Sequence, residues 1–265
     1  MGINKRLKMI VEQIPKCNVL ADIGTDHAYV PIYAVKTGLC ERALAVDVKA
    51  GPLEAASLNI KRHGLENYVE TRQGNGLEAV RLSECNVVVI AGMGGLMIRD
   101  ILSSELDKAR AANLLLLQPN TSAEALRKWL YEHGFALTCE KLVKDAGKIY
   151  CAIMSKWDGK FEKKDEFTYY VGEKVFSGNE LFIKEYLDKK LRDVEAIIRG
   201  RSRKGCKESS FGECFESGPV IPGADTGEDG RNKTEASGGN GRLSEMSTET
   251  LIRIRNKIKE RINLL

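Results

Sequence analysis

The chain has little of what marks membrane, disulfide-rich and metal-binding proteins. Its 265 residues contain no apolar run long enough to cross a membrane. The seven cysteines are an odd number without a CxxC pair, and several lie in apolar runs, which is typical of reduced, buried thiols. The three histidines are too scattered to suggest a metal site by their spacing. We therefore expect no structural metal and no membrane partner.

The N-terminus also lacks the features of a targeting segment. Residues 1–8 are basic but have no long apolar core, and position 6 is neither the Ser nor the Thr that N-myristoylation requires. Hydrophobic residues make up 43% and charged residues 29% of the chain, as in ordinary globular proteins. We expect a cytoplasmic protein. The net charge of +4 is by itself weak evidence for a polyanionic partner.

The most informative segment is an apolar run that breaks at a glycine and continues into a helix-like stretch. Residues 19–23 predict a short strand, Gly24 a sharp turn and residues 28–37 a helix. A second apolar run, residues 43–48, contains Asp47, about twenty residues after the glycine. Strand, glycine turn, helix and a strand with a terminal acid form the layout that binds a nucleoside-containing cofactor, with the acid on the ribose hydroxyls.

The glycine pattern after the first strand is incomplete, and this limits the classes of cofactor that the site can bind. Asp26 stands where a dinucleotide-binding GxGxxG motif has its second glycine, and the third glycine is also missing. A carboxylate there repels a pyrophosphate but suits a cationic sulfonium or an amino-acid group. Gly24 lets the backbone approach the ligand, and Asp22 is placed to accept from its ammonium group. The alternative is a plain turn in which Asp26 and Asp47 only cap helices.

Two further groups flank this predicted cofactor site. Gly74-Asn75-Gly76 follows the third predicted strand, where Gly74 and Asn75 would contact the adenine of the cofactor; the alternative is an ordinary turn. His27 is either a general base or a surface or capping residue. Tyr29 either stacks on a base or packs its helix on the sheet.

Polar and glycine-rich segments after the fourth and fifth predicted strands are expected to form the part of the site that binds the substrate. Residues 92–95 (Gly-Met-Gly-Gly) allow close backbone approach beneath a substrate; we assign Gly92 to the cofactor pocket and treat Met93 as an adaptable apolar wall. Residues 118–120 (Gln-Pro-Asn) add amides to the same rim. Enzymes that methylate exocyclic amines commonly carry Pro-Pro-Tyr or Pro-Pro-Phe after the fourth strand. The absence of that motif here indicates that a different atom accepts the methyl group. The alternative is that both segments are plain loops without substrate contact.

Predicted helices and strands alternate over the first part of the chain. Strands are predicted at residues 19–23, 43–48, 68–72, 86–91 and 113–117, and helices at residues 3–14, 28–37, 52–63, 96–106 and, capped by Thr121 or Ser122, up to residue 132. Apolar runs at 135–143 and 149–156 are joined by a short segment containing Asp and Gly, which favours a hairpin. We predict an α/β fold, a Rossmann-like sheet of the class I methyltransferase type, mostly parallel with one reversed edge strand.

The last hundred or so residues have a different pattern. We divide the chain into a methyltransferase domain, residues 1–160, and a C-terminal helical hairpin or coiled coil, residues 161–265. Its helices each carry one apolar stripe, formed by Leu187, Leu191, Val194 and Ile198 in one and by Leu251, Ile254, Ile258, Ile262 and Leu265 in the other. Residues 200–246 between them are poor in apolar side chains and are predicted to be disordered. The second helix has five cations against one acid, Glu260. This excess of positive charge favours nucleic-acid binding over a face that is merely solvated.

With these residues identified, the chain resembles the bacterial tRNA (adenine-N1)-methyltransferases that modify position 22 of tRNA. The resemblance lies in residues 21–29 (ADIGTDHAY), 91–95 (AGMGG) and 117–120 (LQPN), and it covers about residues 1–200 and the final helix. It implies a class I fold followed by a helical hairpin. It further implies S-adenosylmethionine as the cofactor and tRNA as the partner.

The chemistry of that reaction suits the candidate residues. Adenine N1 is a neutral lone-pair nucleophile, so no strong base is required before it attacks the sulfonium methyl group. Positive charge builds on the adenine in the transition state, and a carboxylate that accepts from its N6 amine stabilises that charge. We assign this carboxylate to Asp26, with Tyr29 or Asn120 positioning the base. In a paired tRNA arm, the target base must be exposed or flipped.

Two other functions stay open on the sequence. One is a methyltransferase acting on a small molecule, whose C-terminal helices serve for dimerisation. The other is a non-catalytic RNA-binding protein with a vestigial nucleotide pocket. Steep salt dependence of tRNA binding argues against the first, and tight cofactor binding against the second. We expect a monomer or a weak dimer.

Overall fold

The computed structural model, which describes residues 3–208 and 241–265, is built around a seven-stranded sheet. The strands are β1 (Cys17–Ile23), β2 (Cys40–Asp47), β3 (Val69–Gln73), β4 (Val87–Gly94), β5 (Leu114–Thr121), β6 (Phe135–Asp145) and β7 (Lys148–Trp157). Their spatial order is β3-β2-β1-β4-β5-β7-β6. The first five strands are mutually parallel, and β7 is antiparallel to both of its neighbours. The predicted mostly parallel, Rossmann-like sheet is confirmed.

The hairpin that closes the sheet is also confirmed, but its placement differs from the prediction. The reversed strand is β7, which inserts between β5 and β6, so that β6 forms the edge. The turn between them uses Ala146 and Gly147 at φ 46° and 77°. Strand β7 is largely apolar, and its residues 151–154 are all buried. Its interior position in the sheet therefore removes more apolar surface from water than a position at the edge of the sheet.

Helices cover both faces of the sheet. They are α1 (Lys5–Val11), α2 (Tyr29–Lys36), α3 (Ala50–Arg62), α4 (Gly95–Ser104), α5 (Leu106–Ala111), α6 (Ala123–Glu132), α7 (Glu166–Val171), α8 (Glu180–Glu208), α9 (Gly241–Glu245) and α10 (Thr248–Asn263). Alternate residues of β4 serve the two faces: Val87 and Val89 pack with α1, α2 and α3, whereas Val88 and Ile90 pack with α4, α5 and α6. Burial on both faces explains why β4 is a continuous apolar run.

Some predicted helix ends are shifted by local hydrogen bonding. The helix predicted at residues 3–14 ends at Val11, because the N–H groups of Gln13 and Ile14 bond back only three residues, at 3.1 and 3.2 Å. Ser122 occupies the cap position of α6 as predicted, but its side chain makes no capping hydrogen bond and its φ is 53°. None of the helices in the described ranges is long and apolar enough to cross a membrane.

The two C-terminal apolar stripes pack on each other, as predicted. Leu187 and Val194 of α8 are buried in the same cluster as Leu251, Ile254 and Ile258 of α10. The stretch predicted to be disordered, residues 200–246, begins and ends in helix, because α8 continues to Glu208 and α9 starts at Gly241. The remainder of that prediction, residues 209–240, lies outside the described residues.

A buried ion pair joins the sheet to the C-terminal helices. Arg127 on α6 and Glu140 on β6 have fully buried side chains, and Nε of the arginine donates to Oε1 of the glutamate at 2.7 Å. Arg127 also donates to the carbonyl groups of Tyr169 and Tyr170 on α7, at 3.0 and 3.3 Å. Glu140 Oε2 accepts from the backbone N–H of Lys174 at 3.1 Å. These bonds fix the segment that leads from the sheet into α8.

Candidate functional site

The candidate site begins where β1 and β2 end side by side. Gly24 follows β1 at φ 73°, a conformation that glycine adopts without strain. Its N–H and that of Thr25 both donate to the carbonyl of Val46 in β2, at 2.8 and 2.9 Å. This tight turn brings Asp22 of β1 and Asp47 of β2 to the same edge of the sheet.

Asp22 is a buried carboxylate, and none of its partners among the described residues is positively charged. It is 7% exposed, and its Oδ2 accepts from the hydroxyl of Thr25 at 2.7 Å. Burial raises the pKa of Asp22 to about 6; the Thr25 bond opposes this rise, and the charges of Asp47 and Asp26 add to it. The three carboxylates that the sequence singled out therefore lie close enough to repel one another.

The turn between Thr25 and α2 is strained. His27 and Ala28 both adopt left-handed backbone conformations, with φ of 58° and 54°, and Asn59 Nδ2 donates to the His27 carbonyl at 3.0 Å. Such conformations in non-glycine residues are costly and cluster at functional sites. Because α2 begins at Tyr29 with Ala28 in the cap position, Asp26 does not occupy the cap of that helix.

The strained turn carries three side chains of the candidate site, those of Asp26, His27 and Tyr29. The side chain of Asp26 is 81% exposed, and its Oδ1 lies 3.4 Å from Nε2 of His27. The ring of His27 stacks on that of Tyr29, with 5.4 Å between centroids. Asp26 is thus available to an incoming ligand, while His27 is engaged on both sides.

The segment after β3 closes against the end of β2. The N–H of Gly74 donates to the carbonyl of Asp47 at 3.1 Å, and a Cβ at Gly74 would lie 2.7 Å from that of Ala79. Asn75 is exposed beside it. Asp47 is half-buried, and its Oδ1 accepts from the N–H of Lys49 at 2.8 Å, in the turn that precedes α3. Lys49 occupies the cap position of α3, and no side chain makes a capping bond there, so Asp47 does not cap this helix. The bond to Lys49 uses one of the two carboxylate oxygens.

The residues expected in loops after β4 and β5 lie within these strands. β4 continues to Gly94 with its register interrupted at Gly92, and β5 includes the Gln-Pro-Asn segment. The irregularity is a bulge, a feature that often re-aims side chains near active sites. The methyl end of Met93 lies directly against Gly24. The predicted apolar wall thus faces the predicted cofactor turn.

A chain of polar side chains crosses the ends of β4 and β5. Arg6 Nη1 donates to Gln118 Oε1 at 2.7 Å, Gln118 Nε2 donates to Asn120 Oδ1 at 3.0 Å, and Asn120 Nδ2 donates to the Gly92 carbonyl at 2.8 Å. Gln118 is fully buried, whereas Asn120 is exposed. The structure thus brings together two predicted site residues, Gly92 and Asn120, and adds Arg6.

Asn120 also lines a cavity of about 340 Å³ that reaches from the end of β5 to α8. On its far side, the ammonium of Lys190 lies 4.0 Å from the ring centre of Tyr170, and burial lowers the pKa of Lys190 to about 8. A larger cavity, about 570 Å³, lies where β1 and β2 begin and is lined by none of the predicted site residues. Position in the sheet, not size, therefore identifies the candidate site.

The cations of α10 are less free than the sequence suggests. Three of them form ion pairs with acids: Arg253 with Glu249, Lys257 with Asp165, and Lys259 with Glu195. These pairs are solvent-exposed and therefore weak, so a phosphate can compete for the same cations.

Sequence reasoning missed Thr25, Asn59 and Arg6. The position of Thr25, three residues after Asp22, is a signal that could have been used, since a hydroxyl at that spacing can reach back to the carboxylate. Asn59 and Arg6 reach the site from helices distant in the chain, and no motif announces them.

The donor set fits the expected S-adenosylmethionine. Three carboxylates, at Asp22, Asp26 and Asp47, suit an ammonium group, a sulfonium and ribose hydroxyls. The same acids would repel the pyrophosphate of a dinucleotide. Among residues 3–208 and 241–265, there is no cluster of three side chains able to hold a metal ion.

Comparison with known proteins points the same way. The methyltransferase domain family matches residues 3–153. A tRNA (adenine(22)-N(1))-methyltransferase of Bacillus subtilis is 39% identical over 156 residues, which are 59% of this chain and 66% of that enzyme. That match spans slightly less than two thirds of the relative's length.

Solved structures match over a greater length. The m1A22 tRNA methyltransferase of Bacillus subtilis superposes with a TM-score of 0.67 and 28% identity, covering 99% of this chain and 97% of that one. A candidate tRNA (m1A22) methyltransferase of Streptococcus pneumoniae, solved in complex with S-adenosyl-L-methionine, gives a TM-score of 0.65 and 32% identity, covering 74% of this chain and 90% of that one.

Proposed function

Because this chain belongs to the methyltransferase domain family and is related there to the tRNA (adenine(22)-N(1))-methyltransferases, we propose that it methylates N1 of adenosine 22 in tRNA, using S-adenosylmethionine. The observation that carries the proposal is the similarity to the streptococcal structure solved with that cofactor, since it extends over most of both chains. The acid-rich edge of β1 and β2 supports the same cofactor on chemical grounds.

In this proposal the ends of β1, β2 and β3 hold the cofactor. Asp47 accepts from the ribose hydroxyls through the oxygen that Lys49 does not use. Asp22 accepts from the ammonium group, whose charge offsets the cost of burying an ionised carboxylate. Gly24 and Gly92 let the backbone approach, and the loop at Gly74 and Asn75 lies against the adenine of the cofactor.

The bound cofactor supplies a methyl group on a sulfonium, and the remaining catalysis is positioning and electrostatics. Adenine N1 attacks with its own lone pair, so the site needs no strong base. The exposed Asp26 carboxylate accepts from the N6 amine as positive charge develops on the ring. Tyr29 and Asn120 hold the base in line with the methyl group, Tyr29 by its ring and Asn120 by its amide.

The C-terminal helices complete the proposed enzyme. We assign residues 1–160 to catalysis and residues 161–265 to holding the tRNA backbone, with exchange of exposed ion pairs on α10 for phosphates. The substrate places such an enzyme in the cytoplasm. We propose that it acts as a monomer or a weak dimer.

The test is to incubate the purified protein with unmodified bacterial tRNA and methyl-labelled S-adenosylmethionine, then to digest the RNA and identify the labelled nucleoside. Label in N1-methyladenosine that disappears when adenosine 22 is replaced by guanosine supports the proposal. Label in another nucleoside contradicts the adenine mechanism. No label in tRNA, despite demonstrated cofactor binding, contradicts the tRNA substrate and favours a small-molecule acceptor.

A further inference from the structure

We propose that Arg6 is a positioning residue for methyl transfer, because it fixes the orientation of the Gln118 and Asn120 amides at the substrate rim. The inference rests on the proposed function for the identity of the substrate. The orientation of the amides is, however, a property of the free protein.

The argument starts from the direction of the hydrogen bonds. A guanidinium has five N–H donors and no acceptor, so Arg6 can only face the carbonyl oxygen of Gln118. The NH₂ of Gln118 then has to face Asn120 and meets its carbonyl oxygen at 3.0 Å. The NH₂ of Asn120 is thereby turned to the carbonyl of Gly92, at 2.8 Å. The donor-only Arg6 at one end and the acceptor-only carbonyl of Gly92 at the other therefore fix the same direction for the whole chain.

Burial makes this control effective. Gln118 has no accessible surface, so water does not satisfy whichever end of its amide is misplaced. Without Arg6, the Gln118 amide has no fixed donor for its oxygen, and both orientations leave a buried polar atom unpaired. The Asn120 amide is then held by the Gly92 carbonyl alone, since its oxygen loses a fixed partner in Gln118.

The backbone around Arg6 is arranged to hold its side chain at this place. Its own N–H donates to Asp145 Oδ2 in the turn of the hairpin at 3.2 Å, and its guanidinium lies 5.8 Å from the ring centre of Tyr150. A Cβ at Gly92 would stand 3.1 Å from Arg6 Nη1, so glycine at this position leaves room for the guanidinium. Helix α1, strand β4 and the hairpin are thus all in contact with Arg6.

The orientation matters because Asn120 Oδ1 keeps a second lone pair. Because Asn120 is an exposed residue, that oxygen can also accept from an amino group of a base, such as the N6 amine of adenine. A reversed amide would present a donor to the same amine. Arg6 therefore acts on the substrate through Asn120 and does not itself touch the reacting atoms.

The test compares Arg6→Met, Arg6→Lys and, as a control on the same helix, Lys8→Met, whose exposed side chain pairs only with Glu12. We expect Arg6→Met to lower kcat on tRNA by about 10- to 100-fold with little change in the affinity for S-adenosylmethionine. The melting temperature should fall by roughly a few degrees, because a buried polar atom of Gln118 loses its partner, and the protein should stay folded under the assay conditions. Arg6→Lys keeps a donor-only group and should restore part of kcat. Lys8→Met should equal the wild type.

A second readout does not depend on activity. The side-chain amide signals of Gln118 and Asn120 in nitrogen-15 spectra should shift and exchange faster with water in Arg6→Met, and remain unchanged in Lys8→Met. Unchanged amide signals, or changed signals with kcat within twofold of the wild type, would overturn the inference. A loss of kcat that merely follows a loss of folding or of cofactor affinity would do the same. If wild-type protein does not methylate tRNA, the proposed function fails, and the amide signals alone decide whether Arg6 orients the chain.

Discussion

Two buried charged groups in this protein differ in how they are neutralised. Glu140 has Arg127 at 2.7 Å, and further bonds of the pair go to backbone around α7 and to the side chains of Tyr186 and Cys151. Asp22 has only the hydroxyl of Thr25, with the like charges of Asp47 and Asp26 nearby. A protein selected for stability alone would not keep an ionised acid in that state. The difference separates a structural site, whose charges are complete within the chain, from a functional site that lacks a cation.

The pKa values express the same contrast. Although burial opposes the charge on Arg127, the carboxylate of Glu140 holds the pKa of that guanidinium well above its ordinary value. At Asp22, burial is opposed only by a neutral hydroxyl, and the pKa rises to about 6. The first pair is stable in the free protein. We propose that Asp22 gains its counter-charge when a cationic ligand binds.

The largest effect should come from breaking the complete pair. Arg127→Met leaves Glu140 buried without a cation, and we expect a loss of about 3–5 kcal/mol in the free energy of unfolding. Urea denaturation measures this, with Lys128→Met, whose half-exposed side chain pairs with Glu132 at 3.7 Å, as the control expected to change little. A loss under about 1 kcal/mol would show that the pair is not the structural link described here.

Removing the incomplete charge should have the opposite sign in the free protein. The pKa of Asp22 is higher in the folded state (about 6) than its ordinary 3.8, so its contribution to stability is present below pH 4 and is lost as the pH rises through 6. At pH 8, Asp22→Asn should therefore raise the free energy of unfolding, by at most about 3 kcal/mol. At pH 3.5 the gain should vanish.

The same variant should bind S-adenosylmethionine at least about tenfold more weakly, because the ammonium loses its carboxylate. Denaturation at the two pH values checks the predicted change in stability, and calorimetry of cofactor binding checks the predicted loss of affinity. A variant that is destabilised at pH 8 and binds the cofactor normally would place Asp22 among the structural groups.

Asp47→Ala should weaken cofactor binding by about 10- to 100-fold with little change in stability, since the half-buried carboxylate makes one bond within the chain. Asp100→Ala, which removes an exposed acid on α4 paired with Arg99, is the matched control. Equal affinities for the wild type and Asp47→Ala in calorimetry would remove this residue from the ribose site.

The smallest effect on cofactor binding is expected at Asp26, the most exposed of the three acids at the candidate site. Asp26→Asn should lower kcat on tRNA by about tenfold and leave the affinity for S-adenosylmethionine within a few-fold, because the carboxylate serves the transition state. An equal fall in kcat and in cofactor affinity would reassign Asp26 to the cofactor pocket.

The sequence predicts the parts of this contrast that depend on short-range pattern. Asp22, Gly24 and Asp47 are recognisable because strand, turn and strand lie within about thirty residues and have a fixed geometry. The C-terminal stripes on α8 and α10 are likewise visible from their helical period. Both predictions rest on local repeats that packing reinforces.

What the sequence does not predict are contacts between distant residues. Arg6 lies 112 positions from Gln118, and nothing in the composition of α1 marks it as part of the site. The extension of β4 and β5 through their glycine and proline was missed because a bulge at Gly92 keeps the strands paired where local propensity indicates a loop. The ion pairs of α10 were missed because Asp165 and Glu195 come from other helices or their caps.

The central claim is that the cofactor supplies the positive charge that neutralises Asp22. It is tested most directly by counting the protons released when the cofactor binds at pH 6. Calorimetric titration with S-adenosylmethionine in two buffers of different ionisation enthalpy gives the number released on binding. If the bound cation lowers the pKa of Asp22, the wild type should release up to about half a proton at pH 6, and Asp22→Asn should release correspondingly less. The same proton count in both proteins would contradict the claim.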